Sequence, residues 1–155
     1  MEKYSIEIPI RKFRLNELTD DERLWIDTAV ISAKQAYAPY SEFHVGAVVV
    51  LANGKIVTGN NQENVAYPSG MCAERVALYY ASARYPDVPV KAIIVIAVKD
   101  GVIQKHISPC GACRQVLLET ETRFNQPVRI ILGGSDEVYM IESAELLLPV
   151  SFQSF

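Results

Sequence analysis

Three cysteines stand in this chain, and the residues beside them suit chemistry. Cys72 is followed by Ala73 and Glu74, and Pro109-Cys110-Gly111-Ala112-Cys113 supplies the other two. Three soft ligands fit a tetrahedral zinc ion, and three protein ligands instead of four leave one corner open for water. A glutamate two residues past the first ligand would stand beside that corner and could carry protons. Cys110 and Cys113 lie three apart, so a helical turn sets both sulfurs on one side.

Charge sets the next requirement. Zinc with three thiolates carries a net −1, which weakens it as a Lewis acid, so compensating positive charge is expected nearby. Arg75 can supply part of it by hydrogen bonding to a cysteine sulfur, as outer partners of metal ligands do; a surface cation on a helix is the plainer alternative. A Cys-x-x-Cys can also be half of a structural zinc knuckle, with His44, His106 or a carboxylate as fourth ligand. A thiol–disulfide couple would leave Cys72 and Glu74 without a role. Neither histidine has ligand spacing.

The elements that must position these groups follow from periodicity. A first helix is expected from about Asp20 to Tyr37, opened by the capping box Thr19-Asp20-Asp21-Glu22 and stopped by Pro39. Its inward stripe reads as Leu24, Ile31 and Ala38, flanked by Trp25 and Thr28. Strands are expected at 43–51 and 55–59 around the Asn53-Gly54 turn. Residues 72–84 read as a helix and 91–98 as a central strand buried on both faces. A helix over 111–122 and strands at 128–132 and 137–141 follow; the four-residue link between these strands makes them antiparallel. Residues 143–147 begin a short terminal helix. The expectation is thus an α/β fold with a five-stranded mixed sheet flanked by helices. Both cysteine motifs fall at helix starts, where free N–H groups and the dipole stabilise thiolates.

Composition narrows the classes. With 155 residues, half of them hydrophobic and 21% charged, the chain reads as one ordinary globular domain. A net charge of −3 argues against a polynucleotide partner, which asks for a basic face. An odd cysteine count argues against a disulfide framework. Met1-Glu2-Lys3-Tyr4 leads into mixed polar sequence with no signal-peptide pattern, and no apolar run approaches the roughly 18 residues of a membrane span. The expected partners exclude nucleic acid and membrane, and the expected compartment is the cytoplasm.

Five ordered motifs carry a resemblance: Phe43-His44-Val45-Gly46-Ala47, Asn61-Gln62-Glu63-Asn64, Cys72-Ala73-Glu74-Arg75, Ser108-Pro109-Cys110-Gly111-Ala112-Cys113-Arg114-Gln115-Val116 and Leu147-Leu148-Pro149-x-x-Phe152. Together they resemble the cytidine deaminase family, in its short, homotetrameric, three-cysteine branch; the zinc deaminases share the Pro-Cys-x-x-Cys ending and a Glu that is not a ligand. The resemblance spans roughly Leu24 to Phe152. It implies one Zn²⁺ per subunit on Cys72, Cys110 and Cys113, with Glu74 as acid and base. It implies Asn61 and Glu63 at the ribose 3′-hydroxyl, common to cytidine and 2′-deoxycytidine, and Phe43 against the pyrimidine. The backbone around Ala73 and Ser108 would read the base edge, and Phe152 would reach a neighbouring subunit's site. The activity implied is hydrolysis of cytidine and 2′-deoxycytidine to uridine and 2′-deoxyuridine with release of ammonia, a pyrimidine-salvage reaction. Residues 1–18 exceed the family's usual length and form an N-terminal extension ahead of a catalytic domain, 19–155; the basic run Arg11-Lys12-Phe13-Arg14 has no assigned role.

Two rivals stand beside this reading. A blasticidin S-type deaminase shares the cysteine motifs but lacks the Phe-x-Val-Gly-Ala and Asn-x-Glu-Asn segments. A non-catalytic zinc-stabilised binding protein would keep the cysteines and need no Glu74. A polynucleotide deaminase is disfavoured by charge and by the missing helix between the last two strands.

Overall fold

A computed structural model describes residues 1–153. Its elements run β1 (Arg11–Arg14), α1 (Asp20–Lys34), β2 (His44–Leu51), β3 (Ile56–Asn60), α2 (Ala73–Arg84), β4 (Val90–Lys99), β5 (Val102–Ile103), α3 (Gly111–Phe124), β6 (Arg129–Gly133) and β7 (Glu137–Ile141), with a 3₁₀ turn at Ala144–Leu147. The strands form one mixed sheet in the order β1-β7-β6-β4-β2-β3, with β5 paired to β4. β4 and β6 are parallel, and β6 and β7 antiparallel, as their short link requires.

The sheet has seven strands, not five. β5 has only two residues, too few for any periodic signal. β1 is the basic run Arg11–Arg14, whose charges hide its strand character. It pairs antiparallel with β7 at the sheet edge. Arg11 pairs with Glu142, Lys12 with Glu137 at 2.8 Å, and Phe13 packs on the core.

Two apolar layers sandwich the sheet, because successive strand residues face opposite ways. Ala47, Val49 and Leu51 of β2 face α2 and α3 with Ile93 and Val95. Val48 and Val50 face α1 with Ile94 and Ile96. The capping box at Thr19 forms as expected, with the Glu22 N–H donating to Thr19 and the Thr19 N–H to Glu22.

The inward face of α1 differs from the expected stripe. Leu24 and Ile31 are exposed, while Ile26, Ala29 and Ala33 are buried. The cause is close approach: a Cβ on Gly46 of β2 would lie 2.0 Å from the Ala29 carbonyl oxygen. Only small residues fit so tight a seat. The helix also ends earlier than expected, at Lys34, since Gln35 and Ala36 close into tighter turns on Ser32 and Ala33.

Candidate active site

Cys72 and Cys110 are the N-cap residues of α2 and α3, which places both cysteines at the positive ends of helix dipoles, although neither side chain makes a capping hydrogen bond. Cys113, one turn into α3, is fully buried. The depth of α2 is fixed by Gly59 of β3, where a Cβ would lie 2.6 Å from the Ala73 carbonyl oxygen and the Ala77 nitrogen. That seat sets the height of the first cysteine and of Glu74 against the sheet.

The three sulfurs converge. Cys72 and Cys110 Sγ are 3.8 Å apart, and Cys110 and Cys113 3.5 Å. Zinc–sulfur bonds near 2.3 Å in a tetrahedron separate sulfurs by roughly 3.8 Å, so the set fits zinc. Among the described residues, no histidine or carboxylate joins the cluster as a fourth ligand, and all three cysteines are free thiols. The closed four-ligand knuckle is therefore not built among the described residues.

Electrostatics favour a thiolate at Cys72. The Cys72 thiol is held down to about 5, first by the hydrogen bond from Cys113 and then by Arg75. Cys113 is pushed up in turn by that bond to Cys72 and by burial. Arg75 Nη2 donates to Cys72 Sγ at 3.6 Å, so the expected pairing of cation and sulfur forms. Its Nε–H is buried with no partner among the described residues. Glu74 is 5% exposed, and burial lifts its carboxyl above the usual glutamate range.

Beside the sulfurs opens a cleft of about 460 Å³, lined in part by Tyr40, Ser41, Asn61, Glu63, Cys72 and Arg75. Its floor is the 61–63 segment, held between Tyr37 and Met71. The Glu63 N–H donates to the Tyr37 carbonyl at 2.8 Å, and Gln62 exchanges two backbone hydrogen bonds with Met71. Asn61 Oδ1 accepts from the Val45 N–H at 2.7 Å, and its Nδ2 donates to the Phe43 carbonyl at 2.9 Å. Glu63 accepts from the Tyr40 and Ser41 N–H groups and from the Ser41 hydroxyl.

A primary amide has two N–H donors, and a carboxylate about four acceptor sites. Asn61 keeps one N–H unused by these bonds and Glu63 about one acceptor site. The Asn61 N–H beside the Glu63 acceptor site is the complement of a hydroxyl group.

Ala73, Ser108, Phe43 and Phe152 stand outside the cleft lining. Ala73 is buried behind Cys72, and Ser108 is exposed at the head of the second cysteine loop. Phe43 is half-buried and reaches Asn61 and Ser41 through its backbone; its ring is not part of the cleft lining. Phe152 lies elsewhere, over a groove of about 490 Å³ between α2 and α3 lined by Tyr79 and Val116, with its carbonyl accepting from Gln115 Nε2 at 2.9 Å.

Sequence reasoning missed Arg114 and Ser41. Arg114 donates to the Pro109 carbonyl at 2.8 Å, the Leu147 carbonyl at 3.1 Å and the Ser108 hydroxyl at 2.9 Å. It thereby ties the second cysteine loop to the C-terminal segment. Its position directly after Cys113 was the only available signal. Ser41 had none, being a single hydroxyl in a turn.

Comparison with known proteins agrees with this geometry. The profile of the cytidine and deoxycytidylate deaminase zinc-binding region matches residues 19–125. A cytidine deaminase of Halalkalibacterium halodurans is 37% identical over 99 residues, 64% of this chain and 71% of that protein. A cytidine deaminase of Mycobacterium tuberculosis is 38% identical over 104 residues, 65% of this chain and 74% of that protein. The crystal structure of cytidine deaminase from Burkholderia pseudomallei superposes with a TM-score of 0.69 at 36% identity, over 87% of this chain and all of that one. With three thiols at zinc spacing, a buried glutamate beside them and this match over most of its length, the chain belongs to the cytidine and deoxycytidylate deaminase family.

Proposed function

We propose that this protein is a zinc-dependent hydrolase that deaminates cytidine and 2′-deoxycytidine to uridine and 2′-deoxyuridine, releasing ammonia. The observation that carries the reading is the cluster of Cys72, Cys110 and Cys113 beside a buried Glu74, adjoining a cleft whose floor includes an Asn61 N–H donor and a Glu63 acceptor site. The nucleoside is preferred to a polynucleotide because the chain is net acidic and the cleft is lined by neutral groups with Glu63 and a single arginine.

Cys72, Cys110 and Cys113 would hold one zinc per subunit. Bound zinc supplies a Lewis acid at the open corner, lowering the pKa of water there. Glu74 works as a proton carrier. It takes a proton from the attacking water and delivers it to N3 as oxygen adds at C4; it then takes the proton of the new C4 hydroxyl and passes it to the departing 4-amino group as the C4–N bond breaks and the carbonyl forms. Burial suits it to this, since a carboxyl lifted out of its usual range holds a proton near neutral pH more readily. Asn61 donates to, and Glu63 accepts from, the sugar 3′-hydroxyl. Backbone groups of Ala73 and Ser108 read the base edge, and Phe43 packs against the pyrimidine.

Residues 19–155 act as the catalytic domain, with 1–18 as an extension that contributes β1. The working form is a homotetramer in which Phe152 completes a neighbour's site. Exposed Tyr79 and Phe152, which line one groove, support this, because apolar groups clustered on one face favour association. Free thiols at ligand spacing fit the reducing cytoplasm and a role in pyrimidine salvage. Among the described residues, no helix is long and apolar enough to cross a membrane.

The test is Glu74→Gln, assayed by loss of absorbance with cytidine, 2′-deoxycytidine and blasticidin S in parallel, alongside zinc content. The variant is expected to keep its zinc and fold while nucleoside turnover falls by several orders of magnitude. Turnover near wild type would refute the mechanism, and turnover of blasticidin S alone would reassign the substrate.

A further inference from the structure

The carboxylate of Glu63 is held unevenly. The backbone N–H groups of Tyr40 and Ser41 both point at Oε2, at 2.8 and 3.3 Å. Oε1 accepts from the Ser41 hydroxyl. Without that hydroxyl the group could pivot about Oε2, because the last torsion of a glutamate is broad and soft. The same Ser41 oxygen accepts from the Phe43 N–H at 3.0 Å. One hydroxyl therefore joins the start of β2 to the floor of the cleft. Asn61 reaches the same strand start through Phe43 and Val45. The two polar groups of the floor are thus set from one point.

We propose that Ser41 is a positioning residue for sugar recognition: by anchoring Oε1 of Glu63 it leaves the carboxylate's remaining acceptor site facing the place of the sugar 3′-hydroxyl. The inference rests on Glu63 being the acceptor for that hydroxyl. A free side chain would have to be ordered when the nucleoside binds, and that ordering costs affinity. Ser41 removes the cost in advance. Its effect should appear only with substrates that carry a 3′-hydroxyl.

The experiment compares wild type, Ser41→Ala and Ser41→Thr on cytidine, 2′-deoxycytidine and 2′,3′-dideoxycytidine, as zinc-loaded enzymes. Wild type is expected to favour 2′-deoxycytidine over the dideoxy analogue by about tenfold or more in kcat/KM, the scale of one hydrogen bond to a charged group. Ser41→Ala should lower kcat/KM on the two hydroxylated substrates by about five- to tenfold, mainly through KM, and narrow the gap to the dideoxy analogue correspondingly. Ser41→Thr, which keeps the hydroxyl, should restore the wild-type preference. An equal loss on all three substrates would mean a structural role alone and overturn the proposal. No loss on any of them, or no rescue by threonine, would also overturn it. A wild-type enzyme indifferent to the 3′-hydroxyl would remove the Glu63 contact itself, a result readable before any variant is made. Should Ser41→Ala not accumulate as folded protein, Ser41→Cys substitutes a weak donor and must narrow the preference in the same direction; an unchanged preference there overturns the proposal.

Discussion

Arg75 separates holding the metal from using it. Its Nη2 lies 3.6 Å from Cys72 Sγ and helps keep that sulfur ionised, whereas the proton transfer proposed above falls to Glu74. Removing the guanidinium leaves the ligand set intact and raises the thiolate charge that the helix ends must offset. Arg75→Ala should therefore lose zinc to a competing chelator about 10- to 100-fold faster than wild type, the usual scale for an outer partner of a ligand. Unchanged release, followed with a metal indicator, would mean that the contact contributes nothing. Glu63 yields a prediction of opposite character. The Ser41 hydroxyl, and then the Tyr40 N–H, hold its carboxyl below the usual glutamate range. A depressed pKa favours the charged form, so the contribution is present at and above the ordinary value of about 4.5 and fades only as pH falls below it. The preference for 2′-deoxycytidine over its dideoxy analogue should accordingly stay flat from about pH 7.5 down to about pH 5. A preference that declined across that interval would place the Glu63 pKa higher than its surroundings allow. At this scale the site was partly legible in the sequence. Cysteine and glutamate advertise themselves by type and spacing, and Arg75 by adjacency. The anchoring of Glu63 by Ser41 depends on a turn more than 20 residues away, and no local pattern reports it.

Glycines set the depth of the helices that carry these groups. At Gly59 an added Cβ would meet backbone of α2 at 2.6 Å, and backbone cannot give way as a flexible side chain would. Gly59→Ala should shift the first turn of α2 outward, carrying Cys72 and Glu74 with it. The expected cost is about 1–3 kcal/mol in denaturant unfolding, with a fall in zinc affinity. Wild-type stability and zinc affinity together would show that the helix had room to spare. The same logic explains what the pattern of hydrophobic residues failed to reveal. A heptad stripe through Leu24 and Ile31 is apolar, yet Ile26, Ala29 and Ala33 face the sheet because Gly46 draws the helix to contact distance. Small residues bury little area and so send a weak signal; closeness, not size, chose the inner face. β1 was hidden for another reason. An edge strand can carry charges, and Arg11 and Lys12 find Glu142 and Glu137 only once β7 lies beside them. The interior strands were legible to within a residue or two, because strands packed on both faces must be apolar almost throughout.

At the scale of the whole molecule, the question is where Phe152 acts. Within one chain it lies on the groove between α2 and α3, away from the cleft lined by Asn61 and Glu63. If its role is in a neighbour's site, two chains with different lesions should repair each other. A Glu74→Gln chain lacks the proton carrier but still presents Phe152; a Phe152→Ala chain lacks the aromatic but keeps Glu74. Co-expressed with distinguishable tags and purified through both, the mixed assembly contains sites in which an intact Glu74 faces a neighbour's intact Phe152. Such sites should work at near wild-type rate. Their activity should then exceed that of the Phe152→Ala assembly alone, even though half of the chains carry the more damaging change. If Phe152 serves only its own chain, no site in the mixture combines both residues, and activity can be no higher than the Phe152→Ala chains alone contribute. Sedimentation of the wild type supplies the companion measurement, for an active monomer would leave no neighbour to complete. Complementation in a stable assembly would tie the exposed aromatic face of α2 and α3 to catalysis, because the surface that joins the subunits would then also finish their active sites.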